Sequence, residues 1–131
     1  MNFYRYLEDC DVHVLDCAGT VDVPLGLARL QRLSQELVAR PAPDGVRRLL
    51  IDFQNTEWAD EETHRELSRA TREDFGLTGD EPTLRLAFVF PRRGIVSKNE
   101  RWFDDYAEAL QWLTDDFTTA QGRIRKHPQG E

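Results

Sequence analysis

Arg47-Arg48-Leu49-Leu50-Ile51-Asp52-Phe53 is the stretch on which the fold turns. Its centre is apolar without alternation, as expected of a strand buried on both faces. Such strands sit inside parallel sheets covered by helices, so helical patterns should flank it. Upstream, Val23, Leu27, Leu30, Leu33 or Ser34, Leu37 and Val38 recur at helical spacing to about Ala39. Asp22 and Pro24 stand where a helix start favours an acid and a proline. Pro41-Ala42-Pro43-Asp44-Gly45 stops that helix. Downstream, the polar loop Gln54-Asn55-Thr56-Glu57 and Trp58 lead to a charged helix expected over about 60–76. Its inner face is read as His64, Leu67, Thr71 and Phe75, and its outer face pairs Glu61 with Arg65 and Glu66 with Arg69. Leu84 to Phe90 is the next strand, ended by Pro91-Arg92-Arg93-Gly94.

The pattern extends to both ends. Phe3, Tyr4, Tyr6 and Leu7, the turn-like Glu8-Asp9-Cys10-Asp11, and Val12-His13-Val14-Leu15-Asp16-Cys17 read as a strand hairpin that Gly19-Thr20 closes. Trp102-Phe103 forms a short apolar element. Asp104-Asp105 then opens a last helix with Tyr106, Leu110, Leu113 and Phe117 on one face, flanked by Ala109 and Trp112. From Thr118 the apolar periodicity is lost. The expectation is one α/β domain over residues 1–117 with a flexible tail over 118–131. Within the domain, an antiparallel edge hairpin followed by βαβ units makes a mixed sheet with helices packed on it.

The 131 residues carry a net charge of −7 with 40% hydrophobic and 31% charged residues, a globular composition. Residues 57–81 hold nine acidic residues against three arginines, and residues 99–116 hold six against one. Surfaces of that sign repel a phosphate backbone, so nucleic acid is not an expected partner. The longest apolar runs are a few residues, too short for a membrane span, and the first residues lack the pattern of a secretion signal. A cytoplasmic location is expected. If Cys10 and Cys17 bracket a strand they lie roughly 23 Å apart, beyond the roughly 7 Å a disulfide allows, so both are expected as free thiols. The cysteines and His13, His64 and His127 match no zinc spacing, and no cofactor is expected.

No phosphate-binding glycine loop, dinucleotide fingerprint, nucleophile elbow or metalloprotease motif is present. The place to look for a site is outside the carboxyl ends of the parallel strands. Two loops qualify. The one after Asp52 supplies Trp58, Asp60, Glu61 and Thr63; the one after Phe90 supplies Arg92, Arg93, Ser97 and Lys98. Contacts between arginines and carboxylates of the two loops are the plain reading, and an anion or phosphoprotein site on Arg92 and Arg93 the sharper one. Asp60 and Glu61, beside a helix start, read first as a cap and a dipole partner.

Gly19-Thr20 before the first helix, Arg48-Leu49-Leu50-Ile51-Asp52, Arg85-Leu86-Ala87-Phe88-Val89 and the ending Arg101-Trp102-Phe103-Asp104 with Glu108-Ala109-Leu110-Gln111-Trp112-Leu113 resemble, in that order, the SpoIIAA-like group of STAS/SEC14-type proteins. The resemblance spans about residues 3–116. It implies a non-enzymatic regulatory module that binds an as yet unidentified protein partner. In anti-sigma antagonist relatives a phosphorylatable Ser or Thr follows an Asp at the start of a helix. The matching stretch here is Trp58-Ala59-Asp60-Glu61-Glu62-Thr63, which puts Glu61 at the serine position and leaves Thr63 two residues on. The serine phosphoswitch is therefore expected to be missing. The lipid-binding side of the same superfamily implies a second reading, a carrier or sensor of a small apolar ligand, favoured if Trp58, Phe90 or Trp102 line an apolar pocket. A third, acid–base hydrolysis by Asp60 or Glu61, needs a desolvated carboxylate in a cleft.

Overall fold

The computed structural model describes residues 3–40, 42, 45–77, 83–90, 94–97 and 99–125, with the backbone alone for 94–97 and 116–125. Strands β1 (Tyr4–Leu7) and β2 (Val12–Asp16) form the antiparallel hairpin, and β3 (Gly19–Val21) follows. Helix α1 (Val23–Ala39) begins at Asp22, whose carboxylate accepts a hydrogen bond from Leu25 N at 2.9 Å. After β4 (Arg47–Asp52) and β5 (Thr56–Trp58), helix α2 (Glu61–Arg69) runs into a π-helical turn, Ala70–Asp74. Then come β6 (Leu84–Val89), β7 (Gly94–Ser97), β8 (Glu100–Phe103) and helix α3 (Tyr106–Arg125).

The sheet has six strands in the order β1-β2-β4-β6-β8-β7. β2, β4, β6 and β8 are mutually parallel, and antiparallel strands β1 and β7 close the two edges. The mixed α/β architecture expected from the sequence is thus the one observed. β4 shows why its sequence does not alternate. Leu49 and Ile51 pack toward α1 and α2 with Leu15, Leu30, Leu33, Leu37, Leu67 and Leu86, while Leu50 packs toward α3 with Val12, Val14, Ala87, Ala109 and Leu113. Both faces of the sheet are covered, and Leu49 and Leu50 have no exposed surface.

Several expectations are corrected. Gly19-Thr20 does not merely close the hairpin, and Thr56-Glu57 is not loop. β3 and β5 pair in parallel as a separate ribbon, with Val21 opposite Trp58. Gly19 enters it at φ +95°, a conformation other side chains rarely adopt. Residues 94–97 form β7 instead of part of a loop. α3 continues to Arg125, where regular structure was expected to stop at residue 117. The inner faces are also rotated. Val38 is 78% exposed, His64 is exposed, and the buried residues of α2 are Thr63 and Leu67, followed by Ala70 in the π-helical turn. On α2 the Glu61–Arg65 pair is replaced by Arg65 with Glu62 at 3.0 Å, while Arg69 does meet Glu66 at 2.6 Å.

Candidate functional site

A cavity of about 190 Å³ opens between the α1/α2 layer and the sheet. Leu15, Ile51 and Phe88 form its floor from β2, β4 and β6, with Glu100 and Trp102 from β8. Gly26, Arg29 and Leu30 of α1 make one wall, and His64, Leu67 and Ser68 of α2 the other. Cys17, Phe53 and Phe90, the residues that follow β2, β4 and β6, complete it at the carboxyl ends of those strands, where parallel sheets place their ligands.

Trp58 reaches this place because of the β3–β5 ribbon. Thr56 Oγ1 donates to the Cys17 carbonyl at 2.6 Å, Gly19 N donates to the Asn55 carbonyl at 2.9 Å, and Ala59 N donates to the Val21 carbonyl at 2.9 Å. These bonds fold the loop after β4 back over the sheet. The result is a continuous aromatic wall. His64 lies 4.8 Å from Trp58, Trp58 5.2 Å from Phe53, Phe53 4.9 Å from Phe90, and Phe90 5.0 Å from Trp102, centroid to centroid. Such spacings are those of offset and tilted aromatic pairs.

The charged groups of the wall have distinct environments. Glu100 is 1% exposed and accepts from Arg72 Nη2 at 2.7 Å, so its charge is compensated. Cys17 is a free, buried thiol, and burial pushes its pKa up to about 12, which keeps it protonated and a poor nucleophile. Arg29 is 9% exposed and neighbours Phe3, its guanidinium carbon 5.3 Å from the ring centroid. Among the described residues no group of three or more His, Cys, Asp or Glu side chains is placed to hold a metal ion.

Of the residues singled out in sequence, Trp58 lines the cavity, as do Phe90 and Trp102. Asp60, Glu61 and Thr63 do not. Asp60 caps α2, accepting from Thr63 N at 2.7 Å and from Thr63 Oγ1 at 2.8 Å. The Thr63 backbone bond, and then its hydroxyl bond, hold the Asp60 carboxyl below its ordinary pKa. Glu61 is exposed in the first turn, and Thr63 is 3% exposed. Arg92, Arg93 and Lys98 lie outside the described residues, and with them the anion site expected there. Sequence reasoning missed Arg29, Phe53 and the Arg72–Glu100 pair. Arg29 stands three residues after Gly26 and one before Leu30, on the buried side of α1.

Among the described residues no helix is long and apolar enough to cross a membrane. Compared with known proteins, the chain matches no family model, no curated protein and no solved structure.

Proposed function

We propose that this chain is a small non-enzymatic binding domain that carries or senses a small apolar ligand in the cavity over its sheet. The observation that carries this reading is the aromatic wall of Phe53, Trp58, Phe90 and Trp102 around a cavity of about 190 Å³. Apolar lining with a few polar groups is what small-molecule sites have in common. Acid–base catalysis has less to draw on. Asp60 is exposed and its pKa is lowered by the Thr63 bonds, the opposite of what a general acid needs. Two free thiols accord with a cytoplasmic setting.

A SpoIIAA-like, STAS-type regulatory role is the second reading, and α2 connects it to the first. This helix gives His64, Leu67 and Ser68 to the cavity and turns Glu61, Glu62 and Arg65 to solvent. A ligand that shifts α2 would alter the surface offered to a protein partner. With Glu61 at the expected serine position and the Thr63 hydroxyl bonded to Asp60, the regulation proposed is by occupancy and not by phosphate.

The three tryptophans supply the test. Trp58 and Trp102 line the cavity, whereas Trp112 packs with Phe103 on the opposite face of the sheet. In titrations with 3-phenylpropan-1-ol followed by nuclear magnetic resonance, the indole N–H signals of Trp58 and Trp102 should move saturably while that of Trp112 stays. No saturable movement, or equal movement of all three, would overturn the reading.

A further inference from the structure

The arginines of the core meet different fates. Arg48 Nε donates to the Leu113 carbonyl at 2.9 Å, and Arg72 is paired with Glu100. Arg85 donates from Nη2 to the Trp112 carbonyl at 2.9 Å, and the guanidinium carbons of Arg85 and Arg101 lie 3.9 and 5.3 Å from the Trp112 ring centroid, on the α3 face and away from the cavity. Arg29 is one of the residues that line the cavity. Its Nε and Nη1 are buried and have no hydrogen-bond partner among the described residues.

Among the described residues no carboxylate on the same face is free to answer it. Glu100 is taken by Arg72. Asp16 and Asp52 share the strand parity of Val14 and Leu50, which face α3, and their Oδ1 atoms accept from Ala18 N and Gln54 N. The Cys17 thiol is within reach of the Arg29 guanidinium but neutral, so it offsets no charge, and the Phe3 ring offers a π face to the cation but no in-plane acceptor. The cavity wall therefore carries one uncompensated positive charge beside an aromatic surface. A buried charge without a partner is costly, and a ligand that brings an opposite charge and an acceptor reduces that cost on binding.

We propose that the ligand is a small amphiphilic carboxylate, its apolar body against the aromatic wall and its carboxylate accepting from Nε of Arg29. The inference rests on the ligand-binding reading of the same cavity and names the chemistry of what it takes. Size limits the body. Benzene occupies an apolar cavity of about 150 Å³, so 190 Å³ holds one ring, or an aliphatic equivalent, and a short arm. Charge limits the head. One uncompensated cation suits a monoanion, while a phosphate dianion would bury a charge that nothing on this wall offsets.

The test compares 3-phenylpropanoate with its neutral analogue 3-phenylpropan-1-ol on the whole chain, using the indole signals of Trp58 and Trp102 and the Arg29 Nε–H signal. The acid should bind at least about tenfold more tightly and draw the Arg29 Nε–H signal downfield, which the alcohol should not do. In Arg29→Met the acid should lose its advantage while the alcohol binds as before. Should that variant not fold, the Nε–H shift in the unaltered chain and a reduced acid preference in Arg29→Lys decide the matter. Alcohol binding equal to acid binding, or an acid preference that survives Arg29→Met, overturns the carboxylate proposal and leaves the pocket reading standing. Binding of neither compound at millimolar concentration overturns both.

Discussion

Replacing Gly26 by alanine should leave the protein folded and close its cavity. A β-carbon at Gly26 overlaps Leu67 Cδ1 and lies 2.7 Å from Cδ2, because α1 and α2 cross there with no side chain on the α1 side. Two effects oppose each other. Alanine gains up to about 1 kcal/mol over glycine in a helix. Overpacking typically costs about 1–3 kcal/mol when the neighbours cannot move. Here the neighbour is the end of a leucine side chain that borders an open cavity, so it has somewhere to go. The overlap cost should therefore fall at the low end, and Gly26→Ala should stay within about 1 kcal/mol of the unaltered protein by urea denaturation. The displaced Leu67 would occupy space the ligand needs, and 3-phenylpropan-1-ol should bind at least about tenfold more weakly. A loss of more than about 3 kcal/mol would show that Leu67 is locked and the cavity gives it no room. Unchanged stability with unchanged binding would show that the ligand sits elsewhere.

Three further outcomes are expected. Trp112→Ala should cost about 3–5 kcal/mol, since the ring is 9% exposed between Phe103 and the Arg85 guanidinium; an unchanged urea midpoint would place α3 outside the core. His13 is 2% exposed with Nδ1 2.8 Å from the Tyr4 hydroxyl, and burial lowers its pKa, so the unfolded chain takes up its proton first. Its contribution is present above about pH 6.5 and lost as the pH falls through the lowered value; stability should decline from pH 7 toward pH 5, and His13→Gln should flatten that decline. Thr63, 3% exposed with its hydroxyl donated to Asp60, should carry no phosphate in protein from its native cells, which intact mass before and after phosphatase treatment would check.

How much of this was legible depends on what kind of interaction fixes each part. The interior strands were readable because burial on both faces leaves a compositional mark, an unbroken Leu49-Leu50-Ile51 in β4. The β3–β5 ribbon was not. Gly19, Thr20, Thr56 and Glu57 have no apolar pattern, and what pairs them is backbone bonding between segments 37 positions apart, anchored by Thr56 on the Cys17 carbonyl. Sequence patterns record which side chains seek burial and say little about which backbone groups find each other. That ribbon places Trp58, so the residue type was recognisable as a site candidate while its position was not.

Arg29 shows the harder limit. A hydrophobic pattern drawn on α1 passes through Leu27 and Val38, and it puts Arg29 off the inner face. The helix is in fact rotated so that Gly26, Arg29, Leu30, Leu33 and Leu37 are buried, with Leu27 half-buried and Val38 in solvent. The missing piece is Gly26, which contributes nothing to a hydrophobic pattern because it has no side chain. Its bareness lets Leu67 of α2 come close, and that approach selects the rotation. Once Gly26 faces α2, Arg29 must follow it inward, since residues three apart share a helix face. The core accepts a charge at that position, and the one available return is a ligand that meets it. On this argument the glycine and the arginine are parts of one device: Gly26 seats the helix, and the seating presents Arg29 to the cavity. Gly26→Ala should then weaken binding of the acid and of the alcohol alike, whereas Arg29→Met should remove only the preference for the acid. Loss of the acid preference alone in Gly26→Ala would separate the two residues and refute the link.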